Sequence, residues 1–240
     1  MNAEHALVSR PDSGLVIEAR DVVRSFGPTP ALRGASFSMQ AGEIVAVMGP
    51  SGSGKSTLLH CLGGILVPDS GEVWFAGRRL DTMSEKARSA LRRDKCGFVF
   101  QSGQLVPELT AEENVALPLL LAGARRAPAI QEARAWLARL DLAGLGQRRS
   151  GELSGGQAQR VALARAMIGH PQVVFADEPT GSLDSLSGEH VMELLVAASR
   201  TEGTTVVLVT HDPRVAAYAE REVVVRDGKV SALLDEPARS

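Results

Sequence analysis

Long apolar stretches are missing from this chain of 240 residues. The longest, around residues 116–122, contains Pro118, whereas a membrane-spanning helix needs about 18 consecutive apolar residues. The first 14 residues are polar, include Glu4 and Asp12, and hold no apolar segment long enough for a signal peptide. We therefore expect a flexible tail over residues 1–14, and any role at a membrane must come through a partner.

The chain also has few cysteines and no excess of basic residues. Cys61 and Cys96 lie far apart and form no C-x-x-C pair, so neither a zinc site nor a disulfide framework is indicated, and a reducing cytoplasm is the simplest setting. The chain has 26 Lys and Arg against 28 Asp and Glu, a net charge of −2. This balance gives no general electrostatic reason to bind nucleic acid.

A glycine-rich motif with the pattern G-x-x-x-x-G-K-S follows the apolar run Ile44 to Met48. Such a loop curls so that backbone N–H groups face phosphate oxygens, and the next helix directs its positive end at them. Lys55 can reach the β- and γ-phosphates, and the Ser56 hydroxyl can ligate Mg²⁺. A plain turn between a strand and a helix would need no Lys-Ser pair. The predicted nucleotide-binding residues are Gly49, Pro50, Ser51, Gly52, Ser53, Gly54, Lys55, Ser56 and Thr57.

Two carboxylates, Asp177 and Glu178, end the apolar run that begins at Val173. Ligands collect at the carboxyl ends of parallel strands, so Asp177 can hold Mg²⁺ and Glu178 can polarise the attacking water as a general base. The alternative is a strand that stops at an acidic turn before Pro179.

A second glycine-containing motif, L-S-G-G-Q, opens a predicted helix over residues 157–168. Ser154 and Gln157 have the spacing of a capping box, and the two glycines allow close backbone approach. The pattern predicts a second helix start that faces phosphate. A well-capped helix without any ligand is the alternative.

Hydrophobic periodicity predicts an α/β fold with a mainly parallel sheet. Residues from about 102 to 168 are mainly helical in this prediction. The predicted strands are 16–24, 35–40, 44–48, 72–75, 96–101, 173–176, 205–209, 222–225 and 230–233, and the predicted helices are 55–62, 131–142, 157–168 and 186–198, with further helices starting near 84 and 110.

L-S-G-G-Q just upstream of an apolar strand that ends in D-E-P-T resembles the ATP-binding subunits of ABC transporters. The resemblance extends from about Ile17 to Leu234. It implies the P-loop NTPase fold of ABC ATPases, with a mainly parallel sheet core, an antiparallel β subdomain and a helical subdomain at about 102–168, within a single domain over residues 15–240. It also implies that ATP and Mg²⁺ are bound, and that two copies of the chain close head to tail around two ATP molecules.

The same resemblance implies roles for individual residues. Phe26 takes the place of the aromatic side chain that stacks on adenine, although on its own it would be assigned to the core. Asp184 belongs to the loop that links the two sites of the dimer. The implied catalytic residues are Lys55, Gln101, Glu178 and His211; the implied Mg²⁺ ligands are Ser56, Gln101 and Asp177; and the residues that close on the partner's nucleotide are Ser154, Gly155, Gly156 and Gln157.

Within ABC ATPases the chain is similar to a group of macrolide-export, lipoprotein-release, peptide-resistance and cell-division ATPases. This similarity implies that the chain works with a permease that has a large extracytoplasmic domain. It also implies that the permease holds the chain at the cytoplasmic face of the membrane. The chain departs from the group at residues 102–107, where a partner would dock, and at Ala158. Two alternatives stay open: a switch that controls an extracytoplasmic cell-wall enzyme through the permease, and a soluble ATPase acting on nucleic acid or ribosomes, which usually needs two cassettes, a coiled-coil insertion or basic surfaces.

Overall fold

The computed structural model describes residues 14–232, which form two compact units. Unit 1 comprises the described residues up to Gln40, Val45–Met83 and the described residues from Val209 onward. Unit 2 comprises Ala41–Ile44 and Ser84–Leu208. The tail predicted over residues 1–14 lies outside the described residues, apart from Gly14.

An antiparallel sheet forms from the first part of the chain. The elements of this part are β1 (Leu15–Phe26), β2 (Thr29–Gln40), β3 (Ile44–Met48), α1 (Lys55–Leu62), β4 (Ser70–Phe75) and β5 (Arg78–Arg79). Strands β1 and β4 pair antiparallel, and the order in this sheet is β2-β1-β4-β5. Along β2 the buried Ala35, Phe37 and Met39 alternate with exposed residues, because successive side chains of a strand point to opposite faces.

Unit 2 combines helices with buried strands. Its elements are α2 (Glu85–Lys95), β6 (Cys96–Phe100), α3 (Ala111–Leu121), α4 (Arg126–Arg139), α5 (Gly155–Met167), β7 (Val173–Asp177), α6 (Ser185–Glu202) and β8 (Thr205–Val209). The strands lie in the order β8-β7-β6, and β6 and β7 are parallel. Nearly every residue of β7 and β8 is buried, as expected for parallel strands covered on both faces. The rings of Phe98 and Phe175 stack with their centroids 5.3 Å apart.

The last part of the chain returns to unit 1 and forms α7 (Pro213–Ala216), β9 (Arg221–Arg226) and β10 (Lys229–Ala232). Strand β9 pairs parallel with β3 and antiparallel with β10. The turn between β9 and β10 contacts the glycine-rich loop, since the Gly228 N–H donates to the Ser53 carbonyl at 3.0 Å. The α/β prediction, with parallel and antiparallel sheets, is confirmed. None of the helices in residues 14–232 is both long and apolar enough to span a bilayer.

Candidate functional site

The glycine-rich loop after β3 takes a backbone path that only glycine permits at two positions. Gly49 has φ +145° and Gly54 has φ +108°. A Cβ at Gly49 would overlap the Val225 carbonyl oxygen, and one at Gly54 would overlap the Ala31 carbonyl oxygen. The loop is therefore curled tightly against neighbouring backbone, as the motif predicted.

Lys55 bends back over this loop. It is only 8% exposed, and its Nζ donates to the carbonyl oxygens of Gly49 at 2.8 Å and Pro50 at 3.0 Å. An ammonium has three donors, so a third remains for a ligand. Among the described residues, no side chain caps α1, and the buried Ser53 Oγ has no hydrogen-bond partner. Donors left over at a helix N-terminus favour an anion.

Unit 1 also holds Phe26 and His211. Phe26 is 50% exposed, which excludes the core position it would have been assigned on its own. The guanidinium carbon of Arg24 lies 5.3 Å from the Phe26 ring centroid. Exposed His211 follows Thr210, whose N–H donates to the Val47 carbonyl at 3.2 Å, so His211 follows directly on a residue bonded to the strand that enters the glycine-rich loop.

In unit 2 the ends of β6 and β7 place three predicted residues together. Phe100 and Asp177 are paired residues of the parallel ladder, so Gln101 and Glu178 each leave the sheet at the same edge. Glu178 adopts the left-handed conformation, φ +48°, and its carbonyl accepts from the Gly181 N–H at 3.0 Å. Such a conformation is uncommon for a residue with a side chain and is often retained at functional sites.

Gln101 is fixed by the turn that follows Glu178. The Ser182 Oγ donates to the Gln101 carbonyl at 2.7 Å. The side chain of Gln101 lies against Gly181, where an added Cβ would come within 2.9 Å of the Gln101 Nε2. The Gln101 amide, which is predicted to contact Mg²⁺ or water, is therefore held against the turn that follows Glu178.

The L-S-G-G-Q motif forms a reciprocal capping box at the start of α5. The Gln157 N–H donates to Ser154 Oγ at 3.2 Å, and the Ser154 N–H donates to Gln157 Oε1 at 2.9 Å. A Cβ at Gly156 would lie 3.2 Å from the Ser187 Cβ, so the start of α5 packs on the start of α6. Asp184 caps α6 through the Ser187 N–H at 3.0 Å, and the hydrogen bonds from Ser187 lower the pKa of Asp184.

Sequence reasoning missed two groups that support these residues. In unit 1, Asp69 accepts from Arg24 Nη1 and from the Ser25 N–H, both at 2.7 Å, and so fixes the segment before Phe26. In unit 2, Gln159 and Arg165 of α5 bind the loop that contains Gln101. A charged residue on the apolar side of the predicted helix, four residues after a core valine, was the available signal for Arg165.

Neither cysteine is a candidate nucleophile. Burial raises the pKa of Cys61 and of Cys96 to about 12, so both thiols stay protonated near neutral pH. In the part of the chain that the structure describes, no three His, Cys, Asp or Glu side chains form a cluster that could hold a metal ion. The predicted Mg²⁺ ligands Ser56, Gln101 and Asp177 instead supply a hydroxyl, an amide and a carboxylate, the oxygen donors that Mg²⁺ prefers.

Comparison with known proteins gives one consistent family. The family model described as ABC transporter matches residues 32–181. The chain is 47% identical over 222 residues to the macrolide export ATP-binding/permease protein MacB of Marinobacter nauticus, which covers 90% of this chain but only 34% of that relative. The chain thus spans about a third of the length of this curated relative.

Solved structures of cassettes match over nearly the whole chain. The dimeric bacterial ABC transporter cassette MJ0796 has a TM-score of 0.83 at 39% identity, with 90% of this chain and 96% of that chain covered. Its dimer in a post-hydrolysis state with ADP and Pi has a TM-score of 0.82 at 38% identity and covers 90% and 98%. The cassette cbiO1 of Clostridium perfringens, part of the complex cbiONQ, has a TM-score of 0.82 at 29% identity and covers 91% and 88%.

Proposed function

Because the chain belongs to the ABC transporter family, we propose that it is an ATPase cassette that closes as a head-to-tail dimer on ATP and drives a membrane permease. The curled loop with its buried lysine is the observation that carries this proposal. We retain a single cassette domain over residues 15–240, with a helical subdomain at about 102–168.

ATP is bound first through its phosphates. The backbone N–H groups at the start of α1 and the third donor of Lys55 face an anion, and Ser53 Oγ offers a further donor. Phe26 then stacks on the adenine, a contact supported by its exposure. The nucleotide is therefore recognised by charge at one end and by a flat apolar ring at the other.

Hydrolysis depends on Glu178, which takes a proton from the attacking water. Gln101 orients that water, and its fixation by Ser182 and Gly181 supports this role. His211 and Lys55 bind the γ-phosphate. When bound, Mg²⁺ neutralises charge on the phosphates, and the residues that would hold it are Ser56, Gln101 and Asp177.

Dimer closure gives the residues of the L-S-G-G-Q motif a role. The nucleotide bound by one copy is contacted by four residues of the other copy, Ser154, Gly155, Gly156 and Gln157. Asp184 passes the state of one ATP site to the other. The reciprocal capping box and the packing of Gly156 on α6 support a rigid, preorganised helix start. The differential affinity of the open and closed states for ATP sets the work available to a partner.

The partner that we propose is an integral membrane permease with a large extracytoplasmic domain, which holds the cassette at the cytoplasmic face of the membrane. MacB is named as an ATP-binding/permease protein and cbiO1 as part of a complex, and these names support the assignment. Macrolide-type export is the transport role that the 47% identity favours.

The test compares phosphate release and ATP binding by the purified chain, by Glu178→Gln and by Lys55→Ala. We expect Glu178→Gln to bind ATP and to form a stable dimer in size-exclusion chromatography with light scattering, but to hydrolyse ATP at least about 100-fold more slowly. Lys55→Ala should lose ATP binding. Hydrolysis by Glu178→Gln at the parental rate would refute the base assignment.

The partner is tested separately. Tagged Glu178→Gln is extracted gently from native membranes with ATP and Mg²⁺, and co-purifying proteins are identified by mass spectrometry. A permease with a large extracytoplasmic domain would support the proposal. Recovery of ribosomal or nucleic-acid-bound proteins alone, with no membrane subunit, would leave the ATPase chemistry standing and remove the transport assignment.

A further inference from the structure

Two side chains of helix α5 hold the backbone of the loop that contains Gln101. Arg165 Nη2 donates to the Gly103 carbonyl at 2.8 Å, and its Nη1 donates to the Gln104 carbonyl at 2.9 Å. Gln159, which is 1% exposed, donates from Nε2 to the Phe100 carbonyl at 2.9 Å. The segment 100–104 is therefore fixed to α5 at both ends, with Gln101 between the fixed points.

These hydrogen bonds hold a partly buried charge and an unfavourable backbone conformation. Arg165 is partly buried, and this burial lowers the pKa of its guanidinium, because it disfavours the charged form; the two carbonyls solvate that charge. Gly103 and Gln104 both have left-handed backbones, φ +69° and +44°. For Gln104 this conformation is intrinsically unfavourable and persists only where the surroundings hold it. The loop thus takes its path because α5 binds it.

The turn after β7 binds the same loop independently, through the hydrogen bond from Ser182 to the Gln101 carbonyl and the contact of the Gln101 side chain with Gly181. The geometry points to Arg165 and Gln159 as positioning residues, which hold the Gln101 loop so that the Gln101 amide stays on the turn that begins at Glu178. This inference rests on the proposed role of Gln101 in hydrolysis.

The first experiment measures kcat, KM and the ATP dissociation constant for Arg165→Ala. We expect kcat to fall about tenfold, because small displacements of a catalytic group are costly. The ATP dissociation constant should stay within about twofold, since the glycine-rich loop belongs to unit 1. Arg165→Lys should recover only part of the activity, because an ammonium cannot reproduce the planar fork that reaches two carbonyls.

Arg160→Ala is the matched control. Arg160 lies on the same helix and also donates to two loop carbonyls, those of Leu140 at 3.1 Å and Asp141 at 3.4 Å, neither of which belongs to the Gln101 loop. Its substitution should lower the melting temperature as much as Arg165→Ala does, with kcat unchanged. Equal loss of kcat in the two variants would mean that α5 is merely destabilised, and would overturn the inference.

A double-mutant cycle distinguishes positioning from any other effect on activity. If Arg165 acts through Gln101, then Arg165→Ala should change kcat about tenfold in the parental chain and not at all in the Gln101→Ala background. Additive losses would overturn the inference. If Arg165→Ala does not fold, Gln159→Met, which keeps the side-chain volume and removes the donor to Phe100, enters the same cycle.

The outcomes also separate this inference from the proposed function. A parental chain that hydrolyses no ATP would refute the proposed function. A parental chain that hydrolyses ATP, with Arg165→Ala and Gln159→Met both at the parental kcat, would refute only the positioning role.

Discussion

The side chain of Gln101 rests on the Cα of Gly181, so that a methyl group added at Gly181 would lie 2.9 Å from the Gln101 Nε2 and 3.3 Å from its Cδ. Gln101, which is proposed to orient water, can therefore take this position because Gly181, three residues after the proposed base Glu178, has no side chain. Because the crowded atoms belong to a flexible side chain, that side chain can move aside and the fold can stay intact.

Gly181→Ala should therefore lower activity without lowering stability. We expect kcat to fall about tenfold, because the Gln101 amide is displaced from its position, and the free energy of unfolding to change by less than about 0.5 kcal/mol. The measurement is steady-state phosphate release together with urea unfolding. Gly169→Ala is the control, since an added Cβ there meets nothing within 4 Å; parental kcat in both variants would contradict the prediction.

The three glycines of the glycine-rich loop should not all respond alike to alanine. At Gly49, φ is +145° and a Cβ would overlap the Val225 carbonyl oxygen, so Gly49→Ala should cost about 3 kcal/mol or more and abolish ATP binding. Gly54→Ala should behave similarly because of the Ala31 carbonyl oxygen. Gly52 has φ +76° with open space around it, so Gly52→Ala should cost about 1 kcal/mol and keep measurable ATP binding.

Thermal unfolding and calorimetric titration with ATP provide both readouts for this series. Equal effects of the three substitutions would show that conformational strain alone, and not the close backbone contact, makes glycine necessary.

Elements bounded by strong local signals could be predicted from the sequence. Strands β3 and β8 and helix α1 have the predicted bounds, because a glycine or the glycine-rich loop lies close to at least one end of each. Helix α4 ends at Arg139, although apolar periodicity continues through buried Leu140 and Leu142. The cause is Asp141, whose left-handed backbone, φ +56°, ends the helix while the next leucine still reaches the core.

The supporting residues of the site could not be predicted in the same way. Helix α5 begins at Gly155, two residues before the predicted start, because Ser154 caps a turn that glycine alone would disfavour. Arg165 binds carbonyls about 60 positions earlier in the chain, and no local pattern encodes that pairing. Helix α7, only four residues long, is too short for hydrophobic periodicity to show.

Phe26→Ala should weaken ATP binding and leave stability nearly unchanged. Stacking of an aromatic ring contributes about 0.5 to 1.5 kcal/mol, so the ATP dissociation constant should rise by roughly two- to tenfold. Half of the Phe26 surface is already exposed in the folded protein, so unfolding exposes only the other half and the loss of stability should be small. Titration with a fluorescent ATP analogue measures the affinity. Leu121→Ala, which also removes an exposed apolar side chain, should leave affinity unchanged; an equal loss in both would refute the adenine contact.

Glu202→Gln should change how stability depends on pH. The hydrogen bond from Arg139 at 2.7 Å, and next the one from His170 at 2.9 Å, lower the pKa of Glu202. A carboxyl whose pKa is lowered by folding stabilises the protein above its unfolded value of about 4.3, and this stability is lost as the pH falls through the folded pKa. At pH 7 Glu202→Gln should therefore be less stable, by up to about 1 kcal/mol because the pair is partly exposed, and the difference should shrink as the pH falls below about 4.3. Urea unfolding between pH 7 and pH values below about 4.3 measures this difference in the free energy of unfolding. The control is Glu189→Gln, at an exposed residue of the same helix. A difference between Glu202→Gln and the parental chain that stays constant with pH would contradict the ion-pair explanation.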